Sequence, residues 1–193
     1  TAVTIDTLRL FDYSVDKPAV YIYPERAGRF SVRLDLGRGV RLTASEPTYG
    51  EGWDVFVETS GRIDSRYDYL FYELSLPGAP RPTRGWCLSA AELPGGLTAL
   101  LQRYGLNERE REAFLEYWRA RLPARAFYAV YPICDDDLAP WAALDITPPP
   151  DSARRIWFVF RGMDAPQALA APAIPPFRRR GTVVIEWGGM VLP

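Results

Sequence analysis

The stretch from Leu97 to Pro123 limits the fold more than any other part of this 193-residue chain, because it alone has unbroken helical character between flanks that read as strands. Gly105 is a natural left-handed stop for a first helix, and Leu106 is the apolar residue that follows such a stop. Asn107 then caps a second helix, with Glu110 three residues on completing a capping box. Phe114, Trp118 and Leu122 recur at helical spacing on the second helix, Glu and Arg alternate over the rest of its surface, and Pro123 ends it. The spacing predicts a helical hairpin over about 96–122 that buries its apolar stripe against strands.

The flanks supply the strands. Ala19 to Tyr23 is one, and Phe30, Val32, Leu34 and Leu36 alternate with polar residues in the next. Gly37-Arg38-Gly39 reads as a tight turn into a returning strand with Val40, Leu42 and Ala44, a β-hairpin. Trp53 to Val57 and the aromatic run Tyr67 to Leu74 follow, then a proline-rich loop from Pro77 to Pro82. Beyond the helices, strands are expected at Ala126–Ile133, Trp141–Ile146, Arg154–Phe160 and Thr182–Trp187. The expected class is α+β, a mainly antiparallel sheet or sandwich with an inserted helical hairpin. One domain, 1–193, is expected, with a β meander over 1–76, the hairpin region over 88–123, and strands with long loops over 124–193.

Histidine is absent, which removes Ser-His-Asp and Cys-His catalysis and all histidine metal ligands. A net charge of -1 gives no basic footprint for nucleic acid, and the second helix opens with acidic residues where a recognition helix would meet bases. No apolar run has the length of a membrane-spanning helix. No cofactor is expected. Asp135, Asp136 and Asp137 are the only run that suggests a metal, a weak oxygen site without the glycine and terminal glutamate of a calcium loop. Arg178-Arg179-Arg180 reads as an anion-binding cluster or as a solvated strand edge. Cys87 and Cys134 flank the helices and form either a disulfide or two free thiols. One lysine, Lys17, stands against 22 arginines, and the scarcity of Asn, Gln, Met and Cys suggests thermostability.

Six Trp, eleven Tyr and nine Phe exceed what a core of this size needs, which points to an aromatic binding surface. Residues two apart in a strand share a face, so Tyr67, Tyr69, Phe71 and Glu73 form a candidate ligand platform, covered either by the protein's own hairpin or loops or by a ligand. The catalytic alternative is a carboxylate-dependent, glycoside-type hydrolase using Glu73 and Glu186, both set among aromatic residues that would raise a carboxyl pKa.

Four stretches, Lys17-Pro18-Ala19-Val20-Tyr21-Ile22-Tyr23-Pro24, Tyr49-Gly50-Glu51-Gly52-Trp53, Gly105-Leu106-Asn107 leading to Phe114 and Tyr117-Trp118, and Val183 to Gly189, together resemble a family of uncharacterised bacterial proteins that are often exported or lipid-anchored. The family has no established activity. The resemblance implies export to the periplasm or cell surface, with the cytoplasm as the alternative, and a first residue, Thr1, that is not Met fits a mature product after signal removal and equally an artificially trimmed chain. The expected function is a non-catalytic binding, structural or interaction module of the cell envelope, whose partner is an envelope protein, a peptide or a saccharide.

Overall fold

Alternating apolar positions make strands with two unlike faces, and here those strands sort into two sheets. The computed structural model describes residues 13–193, with strands β1 (Tyr13–Tyr23), β2 (Gly28–Leu36), β3 (Arg41–Glu46), β4 (Trp53–Val57), β5 (Leu70–Leu76) and β6 (Trp86–Ser89) before the helices. Helices α1 (Leu93–Arg103) and α2 (Glu108–Arg119) follow, then β7 (Phe127–Cys134), β8 (Ala142–Thr147), β9 (Ser152–Met163) and β10 (Val183–Leu192). One sheet has seven strands in the order β3-β5-β1-β10-β9-β7-β6, and the other has three in the order β4-β2-β8. Every pairing is antiparallel except β9 with β10. The sheet-rich α+β class expected from the pattern is therefore present.

Both faces of the large sheet are covered. On one face Val20, Tyr72, Trp157 and Val184 pack with Phe30, Val32, Trp53 and Val55 of the small sheet. On the other Tyr21, Phe158, Phe160, Ile185 and Trp187 pack with Leu97, Leu101, Phe114 and Trp118 of the helices. Because successive residues serve opposite faces, the central strand β10 is buried from Val183 to Met190, as a strand covered on both sides must be.

The helical hairpin closes as its local chemistry dictates. At the end of α1, Gly105 adopts φ 90°, its N–H donates to the Gln102 carbonyl, and the Leu106 N–H donates to the Leu101 carbonyl, which is a Schellman motif. The capping box is complete, with Glu110 N–H donating to Asn107 Oδ1 at 3.0 Å and Asn107 N–H to Glu110 Oε2 at 2.8 Å. Phe114 and Trp118 are fully buried while Leu122, beyond the helix end, is half-buried. Helix α1 starts earlier than expected, at Leu93, because Pro94 fits the first turn.

The expected Phe30–Ala44 hairpin does not form. β2 pairs with β4 and β8, whereas β3 leaves that sheet and pairs with β5. The Gly37 N–H donates to the Trp141 carbonyl at 2.9 Å, which extends the β2–β8 pairing by one residue before the chain crosses to the other sheet. The 1–76 segment is thus no meander, and its first twelve residues lie outside the described ones. The segment between β9 and β10 is a crossover, required because parallel neighbours cannot be joined by a tight turn.

Candidate functional site

Proline inside a strand removes a ladder hydrogen bond and belongs at an edge or a bulge. Pro18 sits in β1, a central strand, and the register of β1 slips at this point against both neighbours, between Asp16 and Ala19 on the β10 side and between Val15 and Ala19 on the β5 side. Lys17 occupies the bulge with φ 56°, a left-handed conformation that an L-residue adopts at a cost. The partner strand makes room with two glycines: a Cβ at Gly188 would lie 3.0 Å from Pro18, and one at Gly189 would lie 2.5 Å from the Phe158 carbonyl oxygen and 2.7 Å from the Trp118 ring. Lys17-Pro18, Tyr117-Trp118 and Gly188-Gly189, which belong to three of the four stretches singled out above, therefore meet at one place.

The bulge aims the only lysine of the chain over an aromatic platform. Its Nζ lies 4.0 Å from the Phe71 ring centroid and 4.7 Å from that of Tyr69, within cation–π range. Tyr69 in turn packs on Tyr21 with ring centroids 5.1 Å apart. Acids surround the platform: Glu73 follows on β5, Asp16 precedes Lys17, and Glu46 of β3 stands opposite Phe71. Burial and the neighbouring Asp16 carboxylate push the Glu73 carboxyl above its ordinary range, against the opposing pull of Lys17 and Arg121. From α2, Tyr117 faces the same acids, and burial together with Asp16 raises its phenol to about 12. Arg121 stacks 3.6 Å over the Tyr117 ring. Tyr69 and Phe71 also line a cleft of about 150 Å³ with Glu46, Arg66, Tyr67 and Asp68.

Three of the four expected platform residues thus come together. Tyr67 is not in their strand register, because β5 starts only at Leu70 and Tyr67 bridges to Ile63 and packs partly on the small-sheet side, so that it reaches Tyr69 and Phe71 only at the wall of the shared cleft. The helical hairpin covers part of the platform, as one expected alternative had it, and leaves Lys17, Tyr69, Phe71 and Glu73 half-exposed. Lys17, Asp16, Tyr117 and Arg121 were not among the expected site residues. A proline within a strand-like run, beside the chain's single lysine, is the signal that could have found Lys17 and Asp16, and nothing comparable marks Tyr117 or Arg121.

Glu186 is elsewhere. It shares a face with Val184 toward the small sheet, while Glu73, between Tyr72 and Leu74, points to the helix side. The two acids therefore lie on opposite sides of the sheet and do not flank a common cleft, which removes the geometry required of a two-carboxylate hydrolase. Glu186 is fully buried and saturated: Trp157 Nε1 and the Tyr72 hydroxyl each donate to Oε1 at 2.8 Å, and Arg155 Nε donates to Oε2 at 2.6 Å. Burial and this carboxylate hold the Tyr72 phenol well above its ordinary range. The network continues from Tyr72 to Trp53 and Tyr49, the fourth singled-out stretch, through ring centroids 6.3 and 4.9 Å apart.

The remaining candidates are structural. Asp135 accepts the Arg155 N–H at 2.9 Å and pairs with Arg154 at 3.3 Å, and no group of three or more acids, cysteines or histidines placed to hold a metal occurs among the described residues. Cys87 and Cys134 are free. Cys87 stands opposite Ala129 and Cys134 lies five positions further along β7, on the order of 17 Å at ~3.4 Å per residue, so they do not bridge. Burial, reinforced by Asp135, raises the Cys134 thiol to about 12, which keeps it an unreactive thiol. Within the arginine run, Arg179 grips the buried Glu110 through two contacts of 2.9 and 3.0 Å and lies 5.0 Å over the Tyr23 ring, tying the crossover to α2.

Comparison of the chain with protein-family models, with curated proteins and with solved structures finds no match.

Proposed function

We propose that this protein is a non-catalytic binding module of the cell envelope, and that its contact surface is the Lys17, Tyr69, Phe71 and Glu73 platform beside α2. The observation that carries this reading is Lys17 itself. A strained left-handed residue in a central strand persists only where its surroundings over-determine it, and such strain concentrates at ligand clamps. Ring faces with a half-exposed acid alongside suit saccharides and peptides, which offer both apolar faces and hydrogen-bonding groups. The resemblance of the Lys17–Pro24 and Val183–Gly189 stretches to a family of exported proteins supports the envelope as the compartment. Cosedimentation with purified cell-wall sacculi tests the reading: Tyr69→Ala and Glu73→Gln reduce binding several-fold with little change in melting temperature. Variants that melt much earlier yet bind as before would make the platform core and end the proposal.

A further inference from the structure

Three carboxylates border the platform, and the cation that occupies its rings is supplied by the chain itself. Asp16, Glu46 and Glu73 stand around the Tyr69 and Phe71 rings, and the ammonium group that rests on those rings belongs to Lys17. Of the neighbouring arginines, Arg121 is stacked on Tyr117 and Arg66 lies over the Tyr67 ring, neither of them on the platform. Two ring faces bordered by carboxylates form the chemistry of an ammonium receptor. The cleft of about 150 Å³ bounded by the same two rings has Glu46 and Arg66 in its wall, with Asp68 already paired to Arg62 and Arg109, and it gives a second ammonium-bearing group a route to the rings past Glu46.

Resting on the binding-module reading, we propose that the platform is an ammonium-recognition site occupied in the free protein by the side chain of Lys17, and that its ligand is a peptide carrying a primary ammonium group. The ligand's ammonium replaces that of Lys17 on the rings, and Lys17 swings out to solvent, free to meet a carboxylate of the same peptide. A tethered occupant competes at a millimolar effective concentration, so it sets a threshold that a weak monovalent ammonium passes only in large excess and a peptide with additional contacts passes readily. The left-handed backbone at Lys17 gives the test a clean variant, since glycine adopts φ 56° without strain.

Lys17→Gly is titrated with n-butylammonium, a detached copy of the lost side chain, and with neutral n-butanol, following the ring resonances of Tyr69 and Phe71 by NMR. The variant binds n-butylammonium about tenfold more tightly than the wild-type protein does, n-butanol is not taken up, and adding Phe71→Ala abolishes binding. Equal response to amine and alcohol, equal affinity in wild type and variant, or no binding by Lys17→Gly overturns the proposal. Lys17→Met, which keeps the aliphatic stem, answers the same question should the glycine variant fold poorly. In the wild-type protein, tetramethylammonium accelerates acylation of Lys17 by an N-hydroxysuccinimide ester, mapped by mass apart from the α-amino group, and an unchanged rate counts against displacement. Loss of sacculus binding in Tyr69→Ala without any ammonium preference in Lys17→Gly removes this inference alone. Unaltered sacculus binding in Tyr69→Ala removes the envelope reading even where Lys17→Gly takes up n-butylammonium.

Discussion

The two faces of the seven-stranded sheet each carry a glutamate among aromatic rings, and they treat it in opposite ways. Toward the small sheet, Glu186 is sealed, and Arg155, Trp157 and Tyr72 satisfy both of its oxygens. Toward the helices, Glu73 stays half-exposed beside Asp16, and the nearest cation is a lysine on a strained bulge. A buried ion pair whose every atom is engaged leaves a ligand nothing to bind, whereas incomplete neutralisation with solvent access does. The difference follows from what covers each face. A three-stranded sheet lies over one, while two helices cover the other and leave Lys17, Tyr69, Phe71 and Glu73 partly exposed.

The largest effect expected from this contrast is at the sealed acid. Glu186→Ala strands the Arg155 guanidinium in the core and costs about 3–5 kcal/mol, read from the urea midpoint. A loss below about 1 kcal/mol would mean that the network is not closed and would erase the contrast. Trp118→Ala comes next, at about 3–5 kcal/mol, since it opens a cavity over Gly189, and a variant with unchanged melting would show that α2 does not hold the helix face.

Lys17→Gly sharpens the comparison from the other side. Relief of the left-handed strain and loss of the ring contacts oppose each other, so stability changes by no more than about 1 kcal/mol while ligand affinity changes. A loss comparable to that of Glu186→Ala would make Lys17 a structural ion like its counterpart. Smallest is Glu73→Gln. Burial and Asp16 raise this carboxyl in the folded state, so folding binds a proton more readily than the unfolded chain does, and stability from this group falls as pH rises through its folded value. The glutamine variant should therefore melt slightly higher than wild type at neutral pH, with the gain vanishing below about pH 4.5, where both states are protonated. Higher melting of the wild type at neutral pH would show that Lys17 and Arg121 fully compensate the acid.

What could be read from the sequence was local. The Gly105 stop, the Asn107 and Glu110 box and the Phe114, Trp118 stripe involve residues within one or two turns of each other, and each forms as the pattern requires. Pairing between distant strands was not legible. Leu42 and Leu34 carry the same alternation, and nothing in that period says that one strand serves the large sheet and the other the small one. The platform was half legible for the same reason: period two grouped Tyr69, Phe71 and Glu73, but the cation that completes it arrives from β1 through a bulge that shifts the register. Glu110 shows the converse, a local cap that was legible and a distant partner, Arg179, that was not.

That partner gives the crossover a role in time as well as in space. The parallel β9–β10 pair closes only after the chain between them has been led round, an entropically slow step compared with forming the helical hairpin, whose contacts are near in sequence. The Arg179 grip on Glu110 requires the hairpin's capping turn to exist already, so it locks after the rate-limiting step and acts as a brake on opening. Arg179→Ala should accordingly leave the refolding rate nearly unchanged and speed unfolding, by about tenfold or more for a loss of about 1.5–3 kcal/mol. The long proline-rich segment is in this sense a clasp, which sets how long the folded molecule lasts rather than how quickly it is made.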